Sequence, residues 1–189
     1  MRARGVLVLL VVLAALQPAC ATSTSAILSC RLNEQSLILT AQAVPSAALV
    51  PCVAELPAGW SYAGTDIRSG RARFWLDSDR GGLHAVEVEL TRSCDTSKAV
   101  EVRPAPDESG ARVYAEPISL EPALWANRYV VFSGGCTTYR YRFVPDAPST
   151  LSLEAEEALG FFPRSALVQD VQDRFGLTLC GAGAPPCEG

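Results

Sequence analysis

His84 is the only histidine of this chain, and Asp77 and Asp79 precede it by a few residues. These are the side chains best suited to acid–base work. An imidazole titrates near neutrality and can act as a general base, and a nearby carboxylate can orient it. Together they define one reading, a small hydrolase. Nucleophilic catalysis also needs an activated Ser or Cys within hydrogen-bond reach, and no GxSxG elbow or comparable motif is present. The bland reading of His84 is structural, because its parity matches Val86 and Val88 and puts it at the edge of a buried face. The run Asp77-Ser78-Asp79-Arg80-Gly81 opens like a calcium loop, since hard cations take several carboxylate oxygens within one tight turn. The pattern then fails: Gly81 stands in the third acidic place and Val88 in the twelfth, and any hairpin turn selects Asp and Gly. With no CxxC and a single histidine there is no Cys/His zinc set, so no metal, cofactor or thioredoxin-like redox pair is expected.

Aromatic residues offer a different chemistry. Trp60, Trp75, Trp125 and Tyr62 could form a platform for a sugar or a peptide. Trp75 stands out, because its parity places it with Arg71 and Arg73 on the face opposite Phe74. A tryptophan flanked by arginines is the composition of an interaction hot spot. If helices or the segment before Pro57 cover that face, Trp75 is instead ordinary core. The acids Glu154, Glu156 and Glu157 read as a solvated helix face, since no apolar environment separates their pKa values.

Seven cysteines remain to be placed. The chain opens with the basic segment Met1-Arg2-Ala3-Arg4 and the uncharged apolar run Gly5 to Leu16, the layout of an export signal. The run is about a dozen residues, too short for the roughly 20 that cross a bilayer core. Ala19-Cys20-Ala21 suits cleavage after Ala21, which makes 1–21 the leader and discards Cys20. Ala19-Cys20 also resembles the end of a bacterial lipobox, in which the leader is 1–19 and Cys20 is acylated as the first mature residue. A lipobox usually carries Leu where this chain has Gln17, with Leu16 one step early. Ala21 to Ser25 is small and Ser/Thr-rich, as a flexible tether is, and 22–29 reads as that tether. The other six, Cys30, Cys52, Cys94, Cys136, Cys180 and Cys187, read as three disulfides of an exported chain, with fifteen connectivities. The preferred pairing is sequential: Cys30–Cys52, Cys94–Cys136 and Cys180–Cys187. Loop-closure entropy gives the first two roughly 3 to 4 kcal/mol each as an upper figure.

Charge narrows the partners. The chain carries 16 basic and 20 acidic residues, for a net charge of −4, and loss of Arg2 and Arg4 with the leader makes it −6. An acidic chain with scattered arginines is a poor ligand for nucleic acid or anionic lipid, so a membrane enters only through an anchor at Cys20. Lys98 is the only lysine, a bias that fits a GC-rich bacterial genome.

The elements that must position these residues are mainly strands. Trp60 to Arg68, a Ser69-Gly70 turn, Arg71 to Leu76 and His84 to Leu90 form an antiparallel set. A register in which residue numbers sum to about 160 places Phe74 opposite Val86 and Ala72 opposite Val88, with Arg73 facing Glu87 and Arg71 facing Glu89 on the other side. Arg128 to Phe132 and Cys136 to Phe143 make a second hairpin across Ser133-Gly134-Gly135, both glycines supplying positive φ. Tyr139, Tyr141 and Phe143 alternate with Arg140 and Arg142, which demands one buried and one wet face. Pro104 to Gly110 reads as a loop and Val113 to Leu120 as a strand. Leu151, Ala155, Ala158, Leu159 and Phe162 share a helical face that ends at Gly160. Pro163 opens a second helix with Leu167, Val171 and Phe175 on its apolar stripe and Gly176 as C-cap. Gln35 to Val50 is ambiguous, Pro51 to Leu56 suits one helical turn, and the closing CGAGAPPC a stapled tail.

The segments VPCVAELPAGW, RARFWLDSDR, LTRSCDTSKAVEV, VVFSGGCTTYRYRF and LGFFPRSALVQDVQDRFG together resemble an uncharacterised family of exported or membrane-tethered proteins of high-GC Gram-positive bacteria, over nearly all of Val50 to Gly176. The resemblance implies a surface location and one domain, and carries no activity, ligand or catalytic residue.

The fold expected is α+β: an antiparallel sheet of about five to six strands with two short C-terminal helices on one face, disulfide-stapled, forming one domain over 30–189. The function expected is a non-catalytic, extracytoplasmic binding or interaction domain of the cell envelope, using Trp75, Arg71 and Arg73 toward an unknown envelope protein or ligand. The alternatives are the secreted hydrolase built on His84 with Asp77 and Asp79, and an accessory lipoprotein subunit of an envelope complex.

Overall fold

A computed structural model describes residues 28–31, 35–105, 108 and 110–179. Its elements in chain order are α1 (Gln35–Ala43), β1 (Leu49–Val53), β2 (Trp60–Arg68), β3 (Arg71–Ser78), β4 (Gly82–Thr91), β5 (Val100–Val102), β6 (Arg112–Ser119), β7 (Trp125–Phe132), β8 (Gly135–Arg142), α2 (Leu151–Ala158), β9 (Leu159–Pro163) and α3 (Arg164–Phe175). A seven-stranded antiparallel sheet runs β2-β3-β4-β8-β7-β6-β5, and β1 pairs with β9 in a separate two-stranded sheet. The α+β class and antiparallel sheet are as expected; the sheet is larger and the described helices number three.

Strict alternation makes β3 the clearest strand. Ala72, Phe74, Leu76 and Ser78 are buried while Arg71, Arg73, Trp75 and Asp77 are half-buried on the other side, the period-2 pattern of a sheet with one core face. Phe74 packs with Val86, Val88 and Leu90 of β4, Tyr139 and Tyr141 of β8, and Val130 of β7. The helices and the β1–β9 pair close this face with Leu37, Ala41, Val50, Leu151, Ala155 and Leu167. Each fully buried side chain of this size contributes roughly 1.5–3 kcal/mol. The opposite face of the large sheet carries the polar residues, and none of the three described helices contributes its buried residues to it.

The β3–β4 register departs from the expected one by two residues. Phe74 faces Val88, Ala72 faces Leu90, Arg73 faces Glu89, Trp75 faces Glu87 and Arg71 faces Thr91. An even shift preserves both faces, so the same side chains stay buried. Near the turn Ser78 does face Gly82, and the break lies between Leu76 and Ser78. There Asp77 of β3 stands opposite Leu83, His84 and Ala85 of β4, a bulge of two extra residues in which His84 takes φ +49°, uncommon for a residue with a side chain.

Several local expectations are corrected. Pro51 to Leu56 is not a helical turn: Leu49–Val53 is β1, whose Val53 also bridges Ser29 in parallel. Leu159 and Phe162 belong to β9, not to a helical face, because the chain leaves α2 at Leu159 with extended φ −107° and ψ 151°. Pro163 is therefore the extended residue before α3, whose C-cap is Gly176 at φ +64° as expected. Leu167 and Val171 face the core, whereas Phe175 is 53% exposed at the last turn. In the β7–β8 turn Gly134 alone of the two glycines has positive φ; Gly135 already pairs with Phe132. The turn is pressed on the segment after α1. Ser46 Oγ donates to Gly134 O at 2.6 Å and the Ala48 N–H to Ser133 O at 3.0 Å. A Cβ on Gly134 would stand 1.9 Å from Ser46 O, so only glycine fits.

Two disulfides form as expected, Cys30–Cys52 and Cys94–Cys136, with Cα atoms 5.0 and 5.8 Å apart, normal spans for such bonds. They are the crosslinks of an oxidising, extracytoplasmic environment. Cys20, the leader, the 22–27 part of the tether and the Cys180–Cys187 pair lie outside the described residues. Leu28, two residues ahead of the boundary expected at Cys30, is buried in the core. Among the described residues no helix is long and apolar enough to cross a membrane.

Candidate functional site

Arg71, Arg73 and Trp75 share the polar face of the large sheet because β3 alternates there. Facing strands supply their partners. Arg73 Nη2 meets Asp66 at 3.0 Å, Arg71 Nη2 meets the same carboxylate at 3.3 Å, and Arg71 Nε lies 3.7 Å from Glu89. Arg140 of β8 donates to Glu87 and Glu89, each at 2.6 Å. Arg71, Arg73 and Arg140, with Arg68 at 2.8 Å from Asp66, thus interlock with Asp66, Glu87 and Glu89 and largely offset their charge. Hydrogen bonds from Arg73 and then Arg68 hold the Asp66 carboxyl below its usual pKa. Such half-exposed pairs contribute little stability singly and act mainly to fix side-chain positions.

Trp75 is set within this network. Its indole N–H donates to Glu87 Oε2 at 3.0 Å, the Arg73 guanidinium carbon lies 5.3 Å from its ring centre, and the His84 ring stacks on it at 5.6 Å and 27°. The covered-core reading of Trp75 is not met, because the helices lie on the Phe74 face. The indole is half-buried by charged and aromatic neighbours on the polar sheet face.

His84 is exposed and on the Trp75 side, not at the edge of the buried face as its parity suggested. The bulge is the reason: two extra residues and a positive φ redirect the side chain. Asp77 does not orient the imidazole. Its Oδ1 instead accepts the His84 backbone N–H at 2.6 Å, which holds the bulge. Asp79 packs against Gly59, whose carbonyl accepts the Asp79 N–H at 2.9 Å. The three side chains of the hydrolase reading therefore do not converge, and among the described residues no hydroxyl or thiol is bonded to the imidazole. No three His, Cys, Asp or Glu side chains are grouped as metal ligands would be, among the described residues.

The tryptophans do not make one platform. Trp60 is 7% exposed with its ring edge against Phe143, and Tyr62 stacks on Phe74. Glu154 and Glu156 are not simply solvated. Glu154 accepts the Trp60 indole N–H at 3.1 Å and pairs with Arg80, whose hydrogen bond depresses the Glu154 pKa; Glu156 accepts the Tyr141 hydroxyl at 3.3 Å.

Two features were missed in the sequence. Glu108 is buried in the 104–110 loop and forms a bidentate pair with Arg128 at 2.6 and 2.7 Å, beside a small polar cavity lined also by Tyr139 and Glu156. Burial would lower the Arg128 pKa, but Glu108 more than offsets this and the net direction is upward. The second is an open cleft of about 480 Å³ between the 119–125 and 143–147 segments, walled by Pro122, Trp125, Arg142, Val144 and Pro145. Prolines bracketing an exposed tryptophan were the available signal.

Neither protein-family models nor curated proteins give a match to this chain. Among solved structures it is similar to a crystal structure from Bacteroides thetaiotaomicron VPI-5482 at 11% identity and TM-score 0.31. The match covers 71% of this chain and 61% of that one, so the chain spans less than two thirds of its neighbour's length.

Proposed function

We propose that this protein is a non-catalytic binding domain of the cell envelope that engages a protein partner through the polar face of its large sheet, with Trp75, Arg73 and Arg71 at the centre. One observation carries the reading: the described helices pack on the Phe74 side, and the opposite side, free of helix among the described residues, presents an indole already positioned by Glu87, Arg73 and His84. A pre-positioned aromatic loses little side-chain entropy on docking, and the balanced charge around it favours a partner with interspersed charges over a polyanion. The export leader and the two disulfides support an extracytoplasmic setting, and acylation at Cys20 would make the protein an accessory lipoprotein subunit at the outer face of the membrane.

Crosslinking in intact cells, followed by pull-down of the wild type and of Trp75→Ala, tests this. The variant is expected to lose its partner by about thirtyfold or more, as a hot-spot truncation does, with its melting temperature within about 2 °C of wild type. Retention of every crosslinked partner by Trp75→Ala would refute the proposal. Palmitate incorporation that disappears in Cys20→Ala tests the anchor separately.

A further inference from the structure

Arg142 differs from the other arginines of the polar face. It makes no ion pair among the described residues, although Arg71, Arg73 and Arg140 each meet a carboxylate. Its Nη1 donates to the carbonyls of Ala126 at 3.2 Å and Tyr141 at 2.7 Å, and its Nη2 to Asn127 Oδ1 at 3.1 Å. A guanidinium has five N–H donors. Those three bonds leave the Nε–H and one Nη2–H without an acceptor among the described residues, and Nε is not sealed from solvent. Nε–H lies on the side edge of the guanidinium fork, which with a parallel Nη2–H takes a carboxylate through two hydrogen bonds.

The same arginine forms a wall of the Trp125 cleft, with its guanidinium carbon 5.9 Å from the Trp125 ring centre. Pro122, Ala123, Phe143, Val144 and Pro145 make the rest apolar apart from Ser119, and Trp125 and Val144 are 46% and 44% exposed. The cleft is built in advance. The Phe143 N–H donates to Leu124 O, the Asp146 N–H to Pro122 O, each at 3.1 Å, and the Trp125 indole N–H to Phe143 O at 3.3 Å. These bonds join both segments that form it. A volume of about 480 Å³ is within the range of small-molecule sites, in which apolar walls surround a few polar groups that fix orientation.

We infer that this cleft binds a small amphipathic carboxylic acid, its hydrocarbon body on Trp125 and the prolines and its carboxylate on the free edge of Arg142. The inference does not depend on the Trp75 surface. Calorimetric titration of the oxidised protein with octanoate, octanol and octyl phosphate tests it. Octanoate is expected to saturate one site per chain and to bind about tenfold or more tighter than octanol, the difference a charge-assisted pair provides. Arg142→Gln is expected to abolish that difference. Val144→Glu, at an exposed position of the wall, is expected to weaken octanoate about tenfold by repulsion while sparing octanol, and it decides the matter if the Arg142 variant does not fold. Trp75→Ala is expected to leave octanoate binding unchanged, so the two surfaces fail separately. The inference is overturned if octanoate does not saturate in the millimolar range, if octanol binds equally well, if Val144→Glu has no effect, or if octyl phosphate binds more tightly than octanoate.

Discussion

Replacing Glu108 by Gln keeps the shape of the side chain and removes the charge from the most deeply buried ion pair among the described residues. The Glu108 and Arg128 side chains are 5% and 14% exposed. Breaking a buried pair by neutralising one partner costs about 3–5 kcal/mol, because the other charge stays desolvated without compensation. Glu156 still lies 3.9 Å from Arg128 and is 40% exposed, so part of the charge remains answered and the lower end, about 3 kcal/mol, is expected. For a chain of this size that is a fall in melting temperature of about 6–12 °C. The double variant Glu108→Leu with Arg128→Met removes both charges and is expected within about 1 kcal/mol of wild type, since well-packed apolar replacements of buried pairs are often neutral. Urea unfolding with the disulfides intact measures both. A single-variant cost below about 1 kcal/mol, or a double variant no more stable than the single, would show that this pair is not desolvated and refute the reasoning.

Removing Cys94–Cys136, which closes 42 residues, is expected to cost up to about 4 kcal/mol and Cys30–Cys52, closing 22, up to about 3; paired Cys→Ala variants melted under non-reducing conditions test this. Arg164 is 1% exposed, its Nη1 donates to Ala41 O, and its Nε and Nη2 are buried without partners. Burial accordingly lowers its pKa. Arg164→Met is expected to be neutral or to raise the melting temperature, because it removes an unanswered buried charge; a marked loss of stability in a melt would contradict this. Hydrogen bonds from the Tyr129 hydroxyl at 2.6 Å and Asn127 at 2.8 Å depress the Glu116 pKa. A carboxyl depressed on folding binds protons more readily in the unfolded chain, so its contribution is complete above the unfolded value of about 4.3 and is lost as pH falls below it. Glu116→Gln is therefore expected to lower stability near neutrality and to flatten the loss between about pH 4 and 2 in acid melts.

Much of the large sheet was legible because its strands alternate strictly. In Arg71 to Ser78 the buried Ala72, Phe74 and Leu76 alternate with Arg71, Arg73 and Trp75, and in Tyr139 to Arg142 the buried tyrosines alternate with the arginines. The face assignment of Trp75 came from the same signal. The exact register did not, because the bulge at Leu83, His84 and Ala85 contains no proline and no glycine to mark it, and the same bulge turned His84 to the other face. The strand Leu159–Pro163 is short, contains glycine and proline, and continues the helical spacing of α2, so periodicity could not separate it. The Val100–Val102 strand offers three residues, too few for any period. The Glu108–Arg128 pair was invisible because its partners are twenty positions apart on a loop and a strand, and only the tertiary fold brings them together. The same holds for the cleft, which joins the ends of two connections around Pro122 and Pro145.

The β1–β9 ladder ties residues 49–53 to residues 159–163, and this sets a schedule for folding. Synthesis delivers the N-terminal end first, so β1, although bonded at Val53 to Leu28 and Cys30, must wait for more than a hundred later residues before its ladder with β9 can form. Late pairing of distant segments raises the loop-closure cost that precedes any gain and slows the final step. A fragment ending at Phe143 would hold every strand of the large sheet yet leave β1 without β9 and Leu151, Ala155 and Leu167 absent from the core. Such a fragment is expected to collapse without settling into one arrangement, which makes completion of the domain an event of its last forty residues.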